Sequence, residues 1–186
     1  MTDRVLTRRA MLAMGALFAV SAALPCRGAA QTGARPAASR VIDVHHHYFA
    51  PVFLARRKDQ IIESLGEAQL GWTPQLSLDQ MDAAGCTTAI LSSGGPGVWH
   101  GKDTLENNRA MTREVNEFGK RMGMDHKGRY GLFASLPMPD ADGSLREIEY
   151  AFTTLKADGV GLWSNFDGRF LGDPLYVPVF EELNRR

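Results

Sequence analysis

Three consecutive histidines, His45, His46 and His47, follow a short apolar run near the start of the chain. If residues 41–47 form a strand, alternate side chains share a face, so His45 and His47 project together and His46 projects to the other side. Two imidazoles on one face at the carboxyl end of a strand are suited to hold a divalent metal ion. Asp43 lies on that face too and could either orient a ligand imidazole or lie in the floor of a barrel. A solvent-capped polar run is the alternative, but the position of the histidines favours a metal site.

Polar and aromatic residues also end the later predicted strands. Ser92 and Ser93 close the second strand, and Trp163 and Asn165 lie near the end of the fourth. Barrels of parallel strands bind their ligands at the carboxyl ends of the strands. We therefore predict Ser93, Trp163 and Asn165 as substrate-binding residues. Local hydrogen bonding in a loop would explain the serines equally well, and packing would explain Trp163.

Three further features are interpreted as structural. The glycine-rich segment 93–97 lacks the lysine and the spacing of a phosphate-binding P-loop, so we interpret it as a flexible rim. His100 and His126 stand alone in polar surroundings, which is typical of surface residues. Cys86 is the one cysteine outside the first thirty residues, and its place between a helix and a strand favours a buried structural role.

The elements that must position the histidines alternate between short β-branched runs and longer segments of helical period, which indicates βα units around a parallel sheet. Four strands are predicted: 41–47, 87–92, 130–136 and 159–165. The predicted helices are 51–65, a helix after a Ser77 cap that stops at Gly85, 105–122, 144–157 and 175–184. The fold class is therefore α/β.

Four βα units are half of a (β/α)8 barrel, which normally needs about 250 residues. An open four-stranded sheet is the alternative, but it would leave both of its edges unprotected. We therefore expect the N-terminal half of a TIM-type barrel, from a truncated, frame-interrupted or partial gene.

Residues 1–30 have the pattern of a signal peptide. Arg4, Arg8 and Arg9 precede the uncharged apolar stretch 10–24, and Gly28 to Ala30 offer a cleavage site. The arginine pair favours twin-arginine export over an ordinary secretory signal. We expect a periplasmic or secreted protein with a linker at 31–40, a barrel domain at 41–186 and no membrane span after cleavage.

Charge and composition point to a small-molecule partner. Lysine plus arginine and aspartate plus glutamate number 21 each, so the chain has no basic field that would attract nucleic acid. A composition that is 44% hydrophobic and 23% charged is typical of a globular domain with a real core. The sequence leaves the formation of a homo-oligomer open.

Seven motifs, in order along the chain, resemble those of the amidohydrolase-related decarboxylase branch of the amidohydrolase superfamily, which includes aminocarboxymuconate-semialdehyde decarboxylase. The last three are similar to the 6-methylsalicylate decarboxylase type. The motifs are Ile42 to His47, Gly71 to Pro74, Met81 to Gly85, Ala89 to Ser92, Asn116 to Phe118, Arg129 to Pro137 and Asn165 to Pro174.

The resemblance implies that His45 and His47 are the first-strand ligands of a mononuclear zinc or manganese site. It also implies a further histidine ligand, an aspartate and an acid/base histidine from strands beyond the fourth, so this chain's own catalytic residues stay unknown. The expected reaction is metal-dependent decarboxylation of an aromatic or unsaturated carboxylic acid. A lactonase-type hydrolase of the same fold and a non-catalytic fragment are the alternatives.

Overall fold

The computed structural model of the chain describes residues 40–94 and 103–186. Four parallel strands form a sheet in the order β1-β2-β3-β4, and two short strands form an antiparallel hairpin. The strands are β1 Val41–Tyr48, β2 Cys86–Ser93, β3 Tyr130–Ala134, β4 Gly159–Val160, β5 Asn165–Phe166 and β6 Arg169–Phe170. The predicted α/β class is confirmed. Residues 1–39, most of the glycine-rich segment and His100 lie outside the described residues.

Six α-helices connect and cover the strands in the described part of the chain. They are α1 Pro51–Arg56, α2 Lys58–Leu65, α3 Pro74–Ala83, α4 Leu105–Asp125, α5 Ala141–Tyr150 and α6 Val177–Arg185. In residues 40–94 and 103–186, no helix combines the length and the apolar character needed to cross a membrane.

Two helix predictions were wrong in their boundaries. Segment 51–65 is two helices, because the chain leaves helical geometry at Arg57. The next helix begins after Thr73 and not after Ser77: the Thr73 hydroxyl accepts a hydrogen bond from the Leu76 amide, and Pro74 occupies the first helical position. Ser77 is thus a helix-interior residue.

The third crossover helix begins earlier than predicted and ends differently. Asp140 caps α5 by accepting a hydrogen bond from the Gly143 amide, so the helix begins at Ala141, three residues before the predicted start. A π-helical turn, Ala151–Leu155, then extends the helix to Lys156, which adopts a left-handed conformation.

The predicted fourth strand, 159–165, was also wrong. Only Gly159–Val160 pairs with β3, and Asn165 lies in the separate β5–β6 hairpin. Asp167 and Gly168 form the tip of that hairpin with φ values of 53° and 77°. An Asp-Gly pair with two positive φ angles is the typical tight hairpin turn, and this sequence signal was available.

The core lies in two clusters. The larger one fills the space between the first strands and helices α1 to α4, and it includes Tyr48, Phe53 and Val115, each with no exposed surface. The smaller one packs the end of β3 and the hairpin against α5 and α6. Each large apolar side chain removed from water contributes about 1.5–3 kcal/mol to stability. The two clusters therefore fix the positions of the strand ends, which carry the polar residues of the site.

Candidate metal-binding site at the carboxyl end of β1

Strand β1 contains one extra residue between Asp43 and His46, in a stretch that includes His45. Asp43 pairs with Ala89 and His46 pairs with Leu91, so three steps along β1 match two steps along β2. A bulge of this kind bends a strand and redirects its side chains, and bulges are frequent beside active sites. The His45 amide within the bulge donates a hydrogen bond to Asp43 Oδ1 over 3.0 Å.

His45 and His47 lie on the same face, as predicted. Their Nε2 atoms are 3.1 Å apart, and the rings meet edge to face with centroids 4.9 Å apart. Two nitrogens at about 2.1 Å from one ion and separated by this distance would subtend about 95° at the metal, between octahedral and tetrahedral angles. The pair therefore fits as two ligands of one divalent ion. Their role as metal ligands stays a prediction.

The surroundings of His47 hold its ring in the form that binds metals. Nδ1 lies 3.4 Å from the Ser92 carbonyl oxygen, which can only accept, and 3.1 Å from Ser92 Oγ. A proton on Nδ1 satisfies the Ser92 carbonyl and leaves the Nε2 lone pair facing His45. Burial lowers the pKa of His47, and the carbonyl of Ser92 opposes this effect only in part. A lowered pKa favours the neutral imidazole, which is the form that ligates metals.

His46 points away from the histidine pair, as predicted from strand alternation. Its Nε2 lies 2.7 Å from Ser77 Oγ, and its Nδ1 lies 3.1 Å from Asp43 Oδ2. Asp43 therefore contacts the ring of His46 and the backbone of His45. Contrary to the prediction that it orients a ligand imidazole, it does not contact the ring of His45 or of His47. The sequence analysis missed Ser77 as a residue connected to the site.

A cavity of about 220 Å³ opens beside the histidine pair. The side chains of His45, His47, Ser93 and Trp163 line it, whereas Asn165 does not and is exposed to solvent. The cavity residues that sequence reasoning did not select are Val44, Phe133, Ser135, Leu136, Gly161, Leu162 and Phe166. Several follow the ends of β3 and β4, and this position is the signal that could have found them.

The walls of the cavity explain what it can bind. Leu136, Leu162 and Phe166 supply apolar surface, and the histidine pair with Ser92 and Ser93 supplies polar atoms on the other side. A site with an apolar wall and a few convergent polar groups suits a small, largely apolar molecule with one polar end.

The polar end of β3 is fixed from behind by Asn116 of α4. The Asn116 amide donates to the Ser135 carbonyl over 2.9 Å, and its oxygen accepts from the Ser135 amide over 2.8 Å. Its nitrogen also donates to Glu147 Oε1 over 2.8 Å. Asn116 has no exposed surface, so these bonds are made away from water and hold Ser135 at the cavity wall.

Within residues 40–94 and 103–186, no three histidine, cysteine, aspartate or glutamate side chains are grouped so as to hold a metal ion. His126, which we predicted as a surface residue, is half-buried and packs edge to face against the Tyr130 ring at 5.9 Å. Cys86 is buried, as predicted. Among the described residues, the histidine pair is therefore the candidate metal site that the sequence predicts.

The chain matches the family Amidohydro_2, described as amidohydrolase, over residues 42–186. It is 36% identical over 149 residues to Decarboxylase yanB of Aspergillus niger, a match that covers 78% of this chain and 40% of that protein. It is 35% identical over 153 residues to 6-methylsalicylic acid decarboxylase of Penicillium expansum, covering 78% and 45%.

Solved structures show the same fold. The crystal structure of an amidohydrolase II superposes with a TM-score of 0.71 at 27% identity, covering 78% of this chain and 47% of that one. A dihydroxybenzoic acid decarboxylase from a Polaromonas species, with bound manganese and an inhibitor, superposes with a TM-score of 0.65 at 21% identity, covering 78% and 46%. The chain spans less than half the length of each of these four proteins, and the resemblance seen in the motifs is confirmed.

Proposed function

The chain belongs to the amidohydrolase family Amidohydro_2, and from this premise we propose that it supplies the first half of a metal-dependent decarboxylase that acts on an aromatic carboxylic acid. The observation that carries the proposal is the pair of Nε2 atoms, 3.1 Å apart, at the edge of a cavity with an apolar wall. The names of the Aspergillus and Penicillium relatives support the reaction class.

The proposed cofactor is one divalent ion, zinc or manganese, held in part by His45 and His47. The manganese in the Polaromonas decarboxylase supports a divalent metal. When bound, such an ion acts as a Lewis acid toward carboxylate and phenolate oxygens. The Ser92 carbonyl can accept a proton from His47 Nδ1, and this arrangement leaves the Nε2 lone pair available at the cavity.

The other cavity residues have roles that follow from their chemistry. Leu136, Leu162 and Phe166 would pack against the ring of the substrate and exclude water from it. Ser93 and Trp163 lie within reach of a bound acid, whereas the exposed position of Asn165 leaves that residue without support as a substrate contact. The acid/base residues that protonate the carbon losing CO₂ are expected outside the described residues, on later strands.

The four parallel strands are proposed to be the first four of an eight-stranded barrel. The order β1-β2-β3-β4 is that of consecutive barrel strands, and the relatives are more than twice as long as the matched segment. A homo-oligomer stays a prediction.

Export is proposed separately, on the sequence of residues 1–30 alone. A reporter fused after residue 40 should reach the periplasm, and replacing Arg8 and Arg9 by lysine should block its transport by the twin-arginine route. Unchanged transport of the double variant would favour an ordinary secretory signal.

A chimera tests the enzymatic proposal. Residues 42–186 would replace the matching segment of Decarboxylase yanB, and CO₂ release from 6-methylsalicylate and 2,6-dihydroxybenzoate would be measured with and without a chelator. We expect metal-dependent release that His47→Ala abolishes and His126→Ala leaves intact. A folded chimera that hydrolyses aromatic lactones and releases no CO₂ would contradict the proposal in favour of the lactonase alternative.

A further inference from the structure

Four hydrogen bonds in series connect the protein interior to the backbone of the histidine pair. Tyr130 Oη lies 2.9 Å from Ser77 Oγ, which lies 2.7 Å from His46 Nε2. His46 Nδ1 lies 3.1 Å from Asp43 Oδ2, and Asp43 Oδ1 accepts the His45 amide over 3.0 Å. The series joins β3, α3 and β1.

The chemistry of the groups fixes the direction of every bond. An ionised carboxylate only accepts, so His46 Nδ1 carries the proton, and in the neutral imidazole Nε2 accepts. Ser77 then donates to His46 and can accept from the Tyr130 hydroxyl. These three donors point toward Asp43, and the His45 amide donates to the same carboxylate from the other end. Bonds aligned as the first three are polarise and strengthen one another.

The order Asp43, His46, Ser77 is that of a hydrolytic triad, but burial excludes that activity. Ser77 has no exposed surface, and its hydroxyl oxygen is shared between His46 and Tyr130. A substrate carbonyl cannot reach it. The function of the series therefore lies in the residues that it holds in place.

The series ends on the His45 backbone amide, which lies in the bulge between the paired residues Asp43 and His46. Asp43 accepts the hydrogen bond from this amide. Asp43 is in turn oriented by His46, which is anchored in the interior through Ser77. Without Asp43, the backbone at the bulge could change conformation, and the His45 ring would no longer point toward His47.

We propose that Asp43, His46 and Ser77 are positioning residues that fix the β1 bulge and so hold His45 and His47 at the separation one metal ion requires. This inference rests on the proposed metal role of the histidine pair. Residues that orient metal ligands from behind typically contribute 10- to 100-fold in metal affinity. Asp43→Ala and Ser77→Ala should therefore weaken binding by roughly this factor.

Asp43→Asn is the conservative variant. Its side-chain oxygen can still accept from the His45 amide. Its nitrogen can donate to His46 Nδ1 if the His46 proton moves to Nε2, so that His46 donates to Ser77 and Ser77 donates to Tyr130. We expect Asp43→Asn to restore metal affinity to within a few-fold of wild type. If Asp43 acted only through its negative charge, Asp43→Asn would not restore metal affinity.

The test uses Co²⁺, titrated into the full chain and followed by its visible absorption. Asp173→Ala is the matched control for Asp43→Ala, because Asp173 Oδ1 accepts the Leu175 amide two residues ahead over 2.9 Å and Asp173 does not line the cavity. Ser64→Ala, at an exposed position of α2, is the control for Ser77→Ala. Both controls should bind Co²⁺ as the wild type does.

A second measurement needs no metal. Hydrogen exchange at the His45 amide should accelerate in Asp43→Ala and Ser77→Ala and stay slow in Asp43→Asn and both controls. Absence of Co²⁺ binding by the wild type would refute the proposed metal site, and the exchange rates would still decide the positioning role. Wild-type Co²⁺ affinity in Asp43→Ala and Ser77→Ala, or unchanged His45 exchange in both, would overturn the inference.

Discussion

Replacing Asn116 by alanine should destabilise the fold strongly, because this one side chain satisfies both backbone groups of Ser135. Those groups are buried just after β3, and the described strand pairing of β3 stops at Ala134. Alanine would leave the Ser135 amide and carbonyl without hydrogen bonds. Glu147 would keep its ion pair with Arg113, 2.8 Å away, and would not be left unpaired.

The magnitude follows from the number of groups left unpaired. Each buried backbone group that loses its partner costs about 1–3 kcal/mol, so two cost about 2–6 kcal/mol. Alanine is a better helix former than asparagine by about 0.5 kcal/mol, which offsets a small part. The net loss of about 2–5 kcal/mol is a large fraction of the stability of a typical domain.

Urea unfolding of the two variants Asn116→Ala and Asn107→Ala measures the effect. Asn107 is exposed on the first turn of the same helix and carries the same gain in helix propensity. We expect the midpoint for Asn116→Ala to fall well below that of Asn107→Ala, with similar slopes. Midpoints that agree to within the equivalent of about 0.5 kcal/mol would refute the view that Asn116 holds the end of β3.

Three further predictions concern the packing around the site. Burial alone would raise the pKa of Asp140, but the hydrogen bonds from Arg109 and the Gly143 amide outweigh it and hold the pKa below its usual value. A carboxyl group whose pKa is lower in the folded than in the unfolded chain stabilises the fold at pH values above its unfolded pKa of about 3.9. This stabilisation is lost as the pH falls through the folded pKa. Asp140→Asn keeps a capping oxygen but weakens the ion pair with Arg109, so it should cost up to about 1 kcal/mol at pH 7, and its difference from wild type in urea unfolding should shrink below about pH 4. Gly143→Ala should lower the thermal midpoint despite better helix propensity, because the added Cβ would collide with the Asp140 carboxylate and lie 2.8 Å from Arg109 Nε. Tyr48→Phe should cost about 1 kcal/mol through the lost bond to the Val115 carbonyl, and an unchanged midpoint would contradict that bond.

The sequence predicts those parts of the fold that depend on periodicity. Alternation in β1 separates His45 and His47 from His46, and the structure shows this division. The helical period placed α4 within a few residues of its observed ends. Both patterns are local, so neighbours in the fold do not alter them.

The misplaced elements depend on capping and on contacts between distant residues. The Thr73 and Asp140 caps compete with Ser77 and Ser144, which are also good capping residues, and only the packed helix selects between them. The contact between Ser77 and His46 joins residues 31 positions apart. The bulge in β1 is visible only through its register with β2, so a single sequence does not reveal it.

Titration of the full chain with Mn²⁺, followed by electron paramagnetic resonance of the free ion, tests the central claim most directly. We expect the chain to bind one ion, weakly because two protein ligands are fewer than the usual three or four, and the variant with His45→Ala and His47→Ala to bind none. His126→Ala should bind like the wild type. Equal Mn²⁺ binding by the wild type and the double variant would contradict the assignment of the histidine pair as the metal site.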